Sequence, residues 1–535
     1  MIGGNGQYSS NPTMLYGEAT PYHWLTAKDM RPFMRRAKAT WTRCPHRPFL
    51  GGIPGARLVA ASLIVGLATV SIGATGTGVG PAFAGIAAKH VPSSWTATEL
   101  LVPANASTTM YSPSIAFVLC RRGKPCVATG GYVDTSGDGQ GLIETMSRGT
   151  STPLEAPLPE NAATTNQHAD VTGLSCPAWD SCTGVGRYDD TTGTQQGLIE
   201  TLSGGEWIAT EALQPANAST TQDSAALYRI TCRAVGLCIA TGTYIDTGGN
   251  VRGFFETLSG GTWTTTEAPL PANASTTQYS GLDAVVCPAA GSCVALGSYA
   301  DSITNNQGFF ETQSGGTWTP TEAPLPANDA VEKEGAINVV TCPETGSCVA
   351  AGFYTDTSGV GQGLIETRSR GTWTASEAPT LANASGISLV SVACSSAASC
   401  VAVGSFSDTT GNFSGLIETR SHGTWTPSAA PLPANVALDP QAGLGAISCA
   451  GKRSCVAVGD YHDTGGTLQG LIEMSSGGTW TTSEAPLPTN AAANPKASFL
   501  NVQCTNADSC LATGFYVDTS GKQHDLIETL TRATH

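Results

Sequence analysis

Three observations predict an all-β chain folded as an eight-bladed β-propeller of four-stranded antiparallel blades. One unit of 52–56 residues recurs eight times, each copy carries a cysteine pair at fixed spacing, and one strand of the last copy is missing from the C-terminus but present near the front. The unit is clearest from Cys348 to Trp373, where it reads CVAAGFYTDTSGVGQGLIETRSRGTW.

Each unit divides into four short strands. In the copy around Cys287, strand A runs through Ala284-Val285-Val286 to Cys287 and strand B from Cys293 to Tyr299. Strand C is Gly308-Phe309-Phe310-Glu311-Thr312, and strand D is Thr317-Trp318-Thr319. An Asp-Thr-x-Gly stretch between B and C, and Ser-Gly-Gly between C and D, are hairpin turns, because Asp and Gly supply the side-chain acceptor and the positive φ that such turns need. The segment Glu-Ala-Pro-Leu-Pro-Ala-Asn then ends the pairing, since proline cannot donate to a ladder. From each second cysteine to the tryptophan position the spacing is 25 residues in all seven complete copies, whereas the stretch from there to the next first cysteine varies from 21 to 25. A constant core with one elastic connection is the signature of stacked repeats.

The two ends fit together. The last copy stops after Asp525-Leu526-Ile527-Glu528-Thr529, without a strand D, while Ser94-Trp95-Thr96-Ala97-Thr98-Glu99 is a strand D with no copy in front of it. Pairing the two closes the ring and leaves no open sheet edge.

Sixteen of the 17 cysteines form C-x5-C pairs: Cys120 with Cys126, Cys176 with Cys182, Cys232 with Cys238, Cys287 with Cys293, Cys342 with Cys348, Cys394 with Cys400, Cys449 with Cys455, and Cys504 with Cys510. Cys44 lies upstream. Regular thiol pairs without interspersed histidine are expected as disulfides, one per blade, in an oxidising compartment. Zinc would call for closer pairs, so no metal site is expected there.

The N-terminal part has a different character. Residues 1–57 are basic, with Arg35, Arg36 and six other Lys/Arg, and Met30 and Met34 are candidate starts. Residues 58–84 follow as an uncharged run ending Ala82-Phe83-Ala84, the order of a secretory signal, or of an anchor if uncleaved. Either puts residues 91–535 outside the cell, secreted or on the extracellular side of the membrane, with membrane contact only through 58–84. Residues 85–535 hold 18 Lys/Arg against 39 Asp/Glu, a net charge of −21 that excludes nucleic acid as an expected partner. The propeller is expected as a monomer.

Repeated polar residues are read first as structure. The strand-C glutamates Glu144, Glu200, Glu256, Glu311, Glu366, Glu418, Glu473 and Glu528 are expected as hydrogen-bond acceptors. The turn aspartates Asp134, Asp190, Asp246, Asp301, Asp356, Asp408, Asp463 and Asp518 are expected to fix their own turns. If a ligand binds, they are the first candidates, because the B–C turns and the elastic D–A loops emerge on one face. Calcium is the runner-up occupant there, and no other cofactor is expected. The tyrosine two residues before each aspartate (Phe406 in one copy) is expected in the core, with carbohydrate stacking second. The most charged D–A loop carries Asp329, Glu332, Lys333 and Glu334; His168, His462 and His524 are single-copy residues near the same face. Asn-Ala-Ser sequons stand at Asn105, Asn217, Asn273 and Asn383. The chain contains no G-x-S-x-G, H-E-x-x-H or phosphate-loop motif.

From Ser454 to Trp480 the string SCVAVGDYHDTGGTLQGLIEMSSGGTW resembles repeats of exported actinobacterial, especially mycobacterial, proteins of uncharacterised role. That resemblance covers residues 91–535 and implies a propeller, export and a bacterial source, with no catalytic residues to carry over. Ser-Gly-Gly-Thr-Trp also resembles the Asp-box turn of sialidase-type propellers but lacks its aspartate, so sialidase activity is not expected. The function expected is a binding or scaffold module facing a cell-envelope protein or glycan. A lectin-like propeller is the first alternative, and an extracellular polysaccharide hydrolase or lyase the second.

Overall fold

The computed structural model describes residues 93–108, 114–147, 150–221, 224–277, 279–303, 305–330 and 335–532. Residues 1–92, which include the expected signal or anchor and Cys44, lie outside the described residues, as do Glu332, Lys333 and Glu334.

Eight four-stranded antiparallel sheets form eight blades. Blade 4 is representative, with strand A at Ser280–Ala289, B at Ser292–Ala300, C at Asn306–Ser314 and D at Thr317–Glu322. Strand D is the outermost, which is why Pro320 can sit inside it opposite Glu311: an edge proline owes no hydrogen bond outward. The Ser-Gly-Gly turn before it has Gly315 at φ 59° and Gly316 at φ 89°, the two left-handed residues of a tight hairpin.

Closure occurs where the ends predict. In blade 8, strand D (Ser93–Glu99) pairs with strand C (Gln523–Arg532), setting Trp95 opposite Leu530 and Thr98 opposite Ile527. The sheet order is therefore D-C-B-A, assembled from both ends of the chain.

All eight expected disulfides are present, each joining strands A and B of one blade. Cys120 bonds to Cys126, Cys176 to Cys182, Cys232 to Cys238 and Cys287 to Cys293. Cys342 bonds to Cys348, Cys394 to Cys400, Cys449 to Cys455 and Cys504 to Cys510. The strand-B members Cys182, Cys238, Cys293, Cys348, Cys400, Cys455 and Cys510 are buried, and Cys126 is half-buried. The bridges are thus anchored in the packed frame through strand B, while the strand-A members Cys120, Cys232, Cys287, Cys342, Cys394 and Cys449 are half-buried. Each bridge closes a loop of about seven residues and restrains the unfolded chain by about 2 kcal/mol. A structure so stapled belongs in an oxidising environment.

Blades pack face to face through apolar residues repeated at each joint. In the joint between blades 3 and 4, Trp318 stacks on Phe255 with centroids 3.9 Å apart; in the next, Trp373 stacks on Phe310 at 3.7 Å. Elsewhere the strand-C residue is isoleucine, as with Ile143 beneath Trp207 and Ile472 beneath Trp95.

Strand A carries a β-bulge in every blade, at Ala116, Thr172, Tyr228, Asp283, Asn338, Val390, Gly445 and Leu500. The bulge explains the recurring strand-B glycine. A Cβ on Gly352 would lie 1.9 Å from the Ala336 carbonyl oxygen, and Gly130, Gly186, Gly242 and Gly297 meet the same obstacle at 1.9 Å. These glycines admit the kinked strand A of their own blade.

Candidate functional site

The face built from the B–C turns and the D–A loops is held together by two layers of repeated hydrogen bonds. In the first, each turn aspartate is occupied by its own turn. Asp134 Oδ1 accepts from the backbone N–H of Ser136 (2.8 Å) and Asp138 (3.0 Å), and Oδ2 accepts from the Gln140 amide at 3.1 Å. Asp190, Asp246, Asp301, Asp356, Asp408, Asp463 and Asp518 accept from the same two backbone positions at 2.8–3.1 Å. The residue six further on, Gln196, Arg252, Gln362, Gln469 or His524, reaches Oδ2 in five of them. Burial alone would raise the carboxyls of Asp134, Asp190, Asp246 and Asp356, yet these donors outweigh it and hold them below the ordinary carboxylate value. Among the described residues no group of three or more His, Cys, Asp or Glu is placed to hold a metal ion.

The second layer ties the D–A loops onto those turns. In blade 5 the Tyr354 hydroxyl donates to Glu377 at the end of strand D (2.7 Å) and sits 2.9 Å from Asn328 Oδ1 of the incoming loop, whose Nδ2 donates to Glu377 at 2.8 Å. The same triad recurs as Tyr132–Asn105–Glu155, Tyr188–Asn161–Glu211, Tyr461–Asn435–Glu484 and, across the closure, Tyr516–Asn490–Glu99. Tyr188, Tyr299, Tyr354, Tyr461 and Tyr516 are 0% exposed, so these rings are core and offer no platform for a sugar. Blade 6 loses two members at once, with Phe406 for the tyrosine and Ala429 for the glutamate; that paired change was the signal in the sequence. In Asn105, Asn217 and Asn273 the amide nitrogen that a glycan would need already donates to Glu155, Glu267 and Glu322.

The strand-C glutamates correct an expectation. All eight are 0% exposed, and apart from Glu256, beside the Leu213 backbone, and Glu473, beside the Thr482 hydroxyl, their carboxyl oxygens have no hydrogen-bond partner. Burial raises each carboxyl from 4.5 to about 8. They form a ring of buried acids that favour the neutral state, unlike the turn aspartates.

Single-copy residues gather on this face and at the inner ends of the blades. His168 Nδ1 lies 2.8 Å from Asp189 Oδ2 at the rim of an open recess of about 480 Å³, lined by Thr164, Thr165, Asn166, Thr191 and Thr192. The three histidines are not brought together: His462 belongs to blade 7, and His524 bridges Glu99 and Asp518 in blade 8. Around the axis, the Thr172 hydroxyl reaches the Leu227 carbonyl of the next blade (3.0 Å), and Asn338 reaches that of Leu389 (2.7 Å). Near Tyr228, Asp283 is raised to about 6 by burial, against which the charge of Arg229 acts. Four successive bulge residues (Thr172, Tyr228, Asp283, Asn338) are polar and the other four are apolar or glycine.

Fold and site together define a disulfide-stapled eight-bladed propeller whose loop face sets D–A loops of variable length on two repeated layers of hydrogen bonds. No protein-family model matches the chain, and no curated protein does. Among solved structures, the WD40 domain of SCAP from fission yeast overlaps 82% of this chain and 98% of its own at 6% identity and a TM-score of 0.42. The BP39L lectin of Burkholderia pseudomallei overlaps 66% and 97% at 12% identity and 0.35. Trypanosoma rangeli sialidase overlaps 61% and 56% at 12% identity and 0.30. Overlaps this shallow carry no inference about chemistry.

Proposed function

We propose that the chain is an exported binding or scaffold module whose recognition surface is the face of B–C turns and D–A loops. The observation that carries this reading is the Tyr–Asn–Glu triad, which fixes loops of variable length and sequence onto a rigid, repeated frame. Rigid elements presenting variable loops are how such folds bind partners. Eight disulfides and the resemblance to exported actinobacterial repeats support work outside the cell. The acidic body favours a cationic or neutral polar partner in the cell envelope.

The test exchanges the D–A segment 160–169 for the corresponding segment of blade 7 and measures retention of envelope components by wild type and variant. Loss of a retained component with an unchanged thermal melt supports the assignment. Retention that survives exchange of every D–A loop overturns it. The hydroxyl-lined recess beside His168 and Asp189 favours a glycan as the second reading, and a glycan array on which wild type and Asp189→Ala are indistinguishable removes it.

A further inference from the structure

The blade that closes the ring departs from the repeat at one dipeptide. Where the other blades have Gln140-Gly141, Gln196-Gly197, Arg252-Gly253, Gln307-Gly308, Gln362-Gly363, Ser414-Gly415 and Gln469-Gly470, blade 8 has His524-Asp525. Both replacements sit on a junction of the closure. His524 Nδ1 is 2.7 Å from Glu99 on the N-terminal strand, and Nε2 is 2.9 Å from Asp518 on the B–C turn, with the ring stacked on Tyr516. Both partners are carboxylates, which only accept, so only the doubly protonated imidazole donates to both.

Asp525 faces the other way, toward blade 1. It is 3% exposed, and its Oδ2 has no partner. Elsewhere this position is a tight glycine; a Cβ on Gly141 would lie 2.8 Å from the Ala156 methyl. Burial, then the charge of Glu144 across the joint, raises the Asp525 carboxyl well above its ordinary value, and only the Ile115 N–H opposes them. The same joint lacks the aromatic wedge of the others. Ser151 stands at the tryptophan position, and its hydroxyl accepts from the Leu101 N–H at 3.2 Å.

We propose that ring closure is a proton-dependent clasp: Asp525 against Glu144, beside the junction where His524 bridges Glu99 and Asp518, holds the N-terminal strand and blade 1 to blade 8 when protonated and loosens both as pH rises. The charged and titratable groups facing the clasp are Glu99, Asp518 and Tyr516 around His524, and Glu144 beside Asp525. Lys522 lies nearby with its ammonium on the Ser107 carbonyl. For Asp525 and Glu144 the folded state favours the neutral acid, so their contribution is full below the ordinary carboxylate value and is lost as pH climbs. The proposal is independent of what the loop face binds.

Amide exchange on the full, oxidised chain tests it. Protection of the closing strand (Ser93–Glu99) is compared with that of the blade 4 strand D (Thr317–Glu322) at about pH 5.5 and about pH 8.5, so that effects common to all blades cancel. The expected result is a loss of relative protection at the higher pH of about tenfold or more, since one released proton over one pH unit is worth a factor of about ten. The double variant His524→Gln with Asp525→Gly, which restores the dipeptide of the other blades, should abolish the difference, and Asp525→Asn alone, which preserves shape, should reduce it. Equal relative protection at both pH values in wild type overturns the proposal, as does a pH dependence untouched by Asp525→Asn.

Discussion

Replacing Glu366 by glutamine removes one titrating group from the ring of buried acids while keeping its shape. Glu366 is 0% exposed, both of its oxygens are unpartnered, and burial raises its carboxyl from 4.5 to about 8. Folding therefore takes up a proton at this residue throughout that interval. The sign follows from linkage: the native state binds the proton that the unfolded chain has lost, so the contribution is full below the unfolded value, falls as pH rises and is flat above about 8. One proton corresponds to about 1.4 kcal/mol per pH unit, so wild type should lose about 3 kcal/mol relative to Glu366→Gln between about pH 5 and about pH 7.5. Urea denaturation of both proteins, disulfides intact, at about pH 5, 6 and 7.5 reads that difference. Curves that stay parallel across pH would refute the reasoning, because they mean that the carboxylate is paired or solvated in the native state.

Other consequences are as direct. Gly352→Ala places a methyl 1.9 Å from the Ala336 carbonyl and should cost more than about 3 kcal/mol in a thermal melt; a loss below about 1 kcal/mol contradicts the bulge. Tyr354→Phe removes hydroxyl contacts to Asn328 and Glu377 and should cost about 1–2 kcal/mol, but less in a Glu377→Ala background, which reproduces the pair Phe406 and Ala429 of blade 6; a double-mutant cycle measures the coupling. Replacing both Cys342 and Cys348 by serine should lower stability by about 2 kcal/mol and leave the far-ultraviolet circular dichroism unchanged.

Blade number, closure and disulfide pairing were legible because repetition turns one pattern into eight concordant observations. Trp95 without a blade and Leu526-Ile527 without a partner strand specified the joint. The strand-A bulges were not legible, because Thr172, Tyr228, Asp283 and Gly445 share no side-chain chemistry. Their only trace is the strand-B glycine, which also suits close packing. The Tyr–Asn–Glu triad escaped because its members come from three segments spread over about 50 residues, joined only once the D–A loop lies on the B–C turn. Repetition also misled. Eight equivalent glutamates suggested eight satisfied acceptors, whereas their position on strand C buries them and brings a nearby donor to Glu256 and Glu473 alone.

The claim on which all else depends is that Ser93–Glu99 completes blade 8 within the same molecule. Thr96 and Thr529 are direct partners in the register, a separation that suits a disulfide. The double variant Thr96→Cys with Thr529→Cys should yield, on oxidation, a cross-linked peptide from a monomeric chain, identified by mass spectrometry beside the eight native bridges. A chain that forms no such link, or links those positions only between two molecules, would contradict the closed ring.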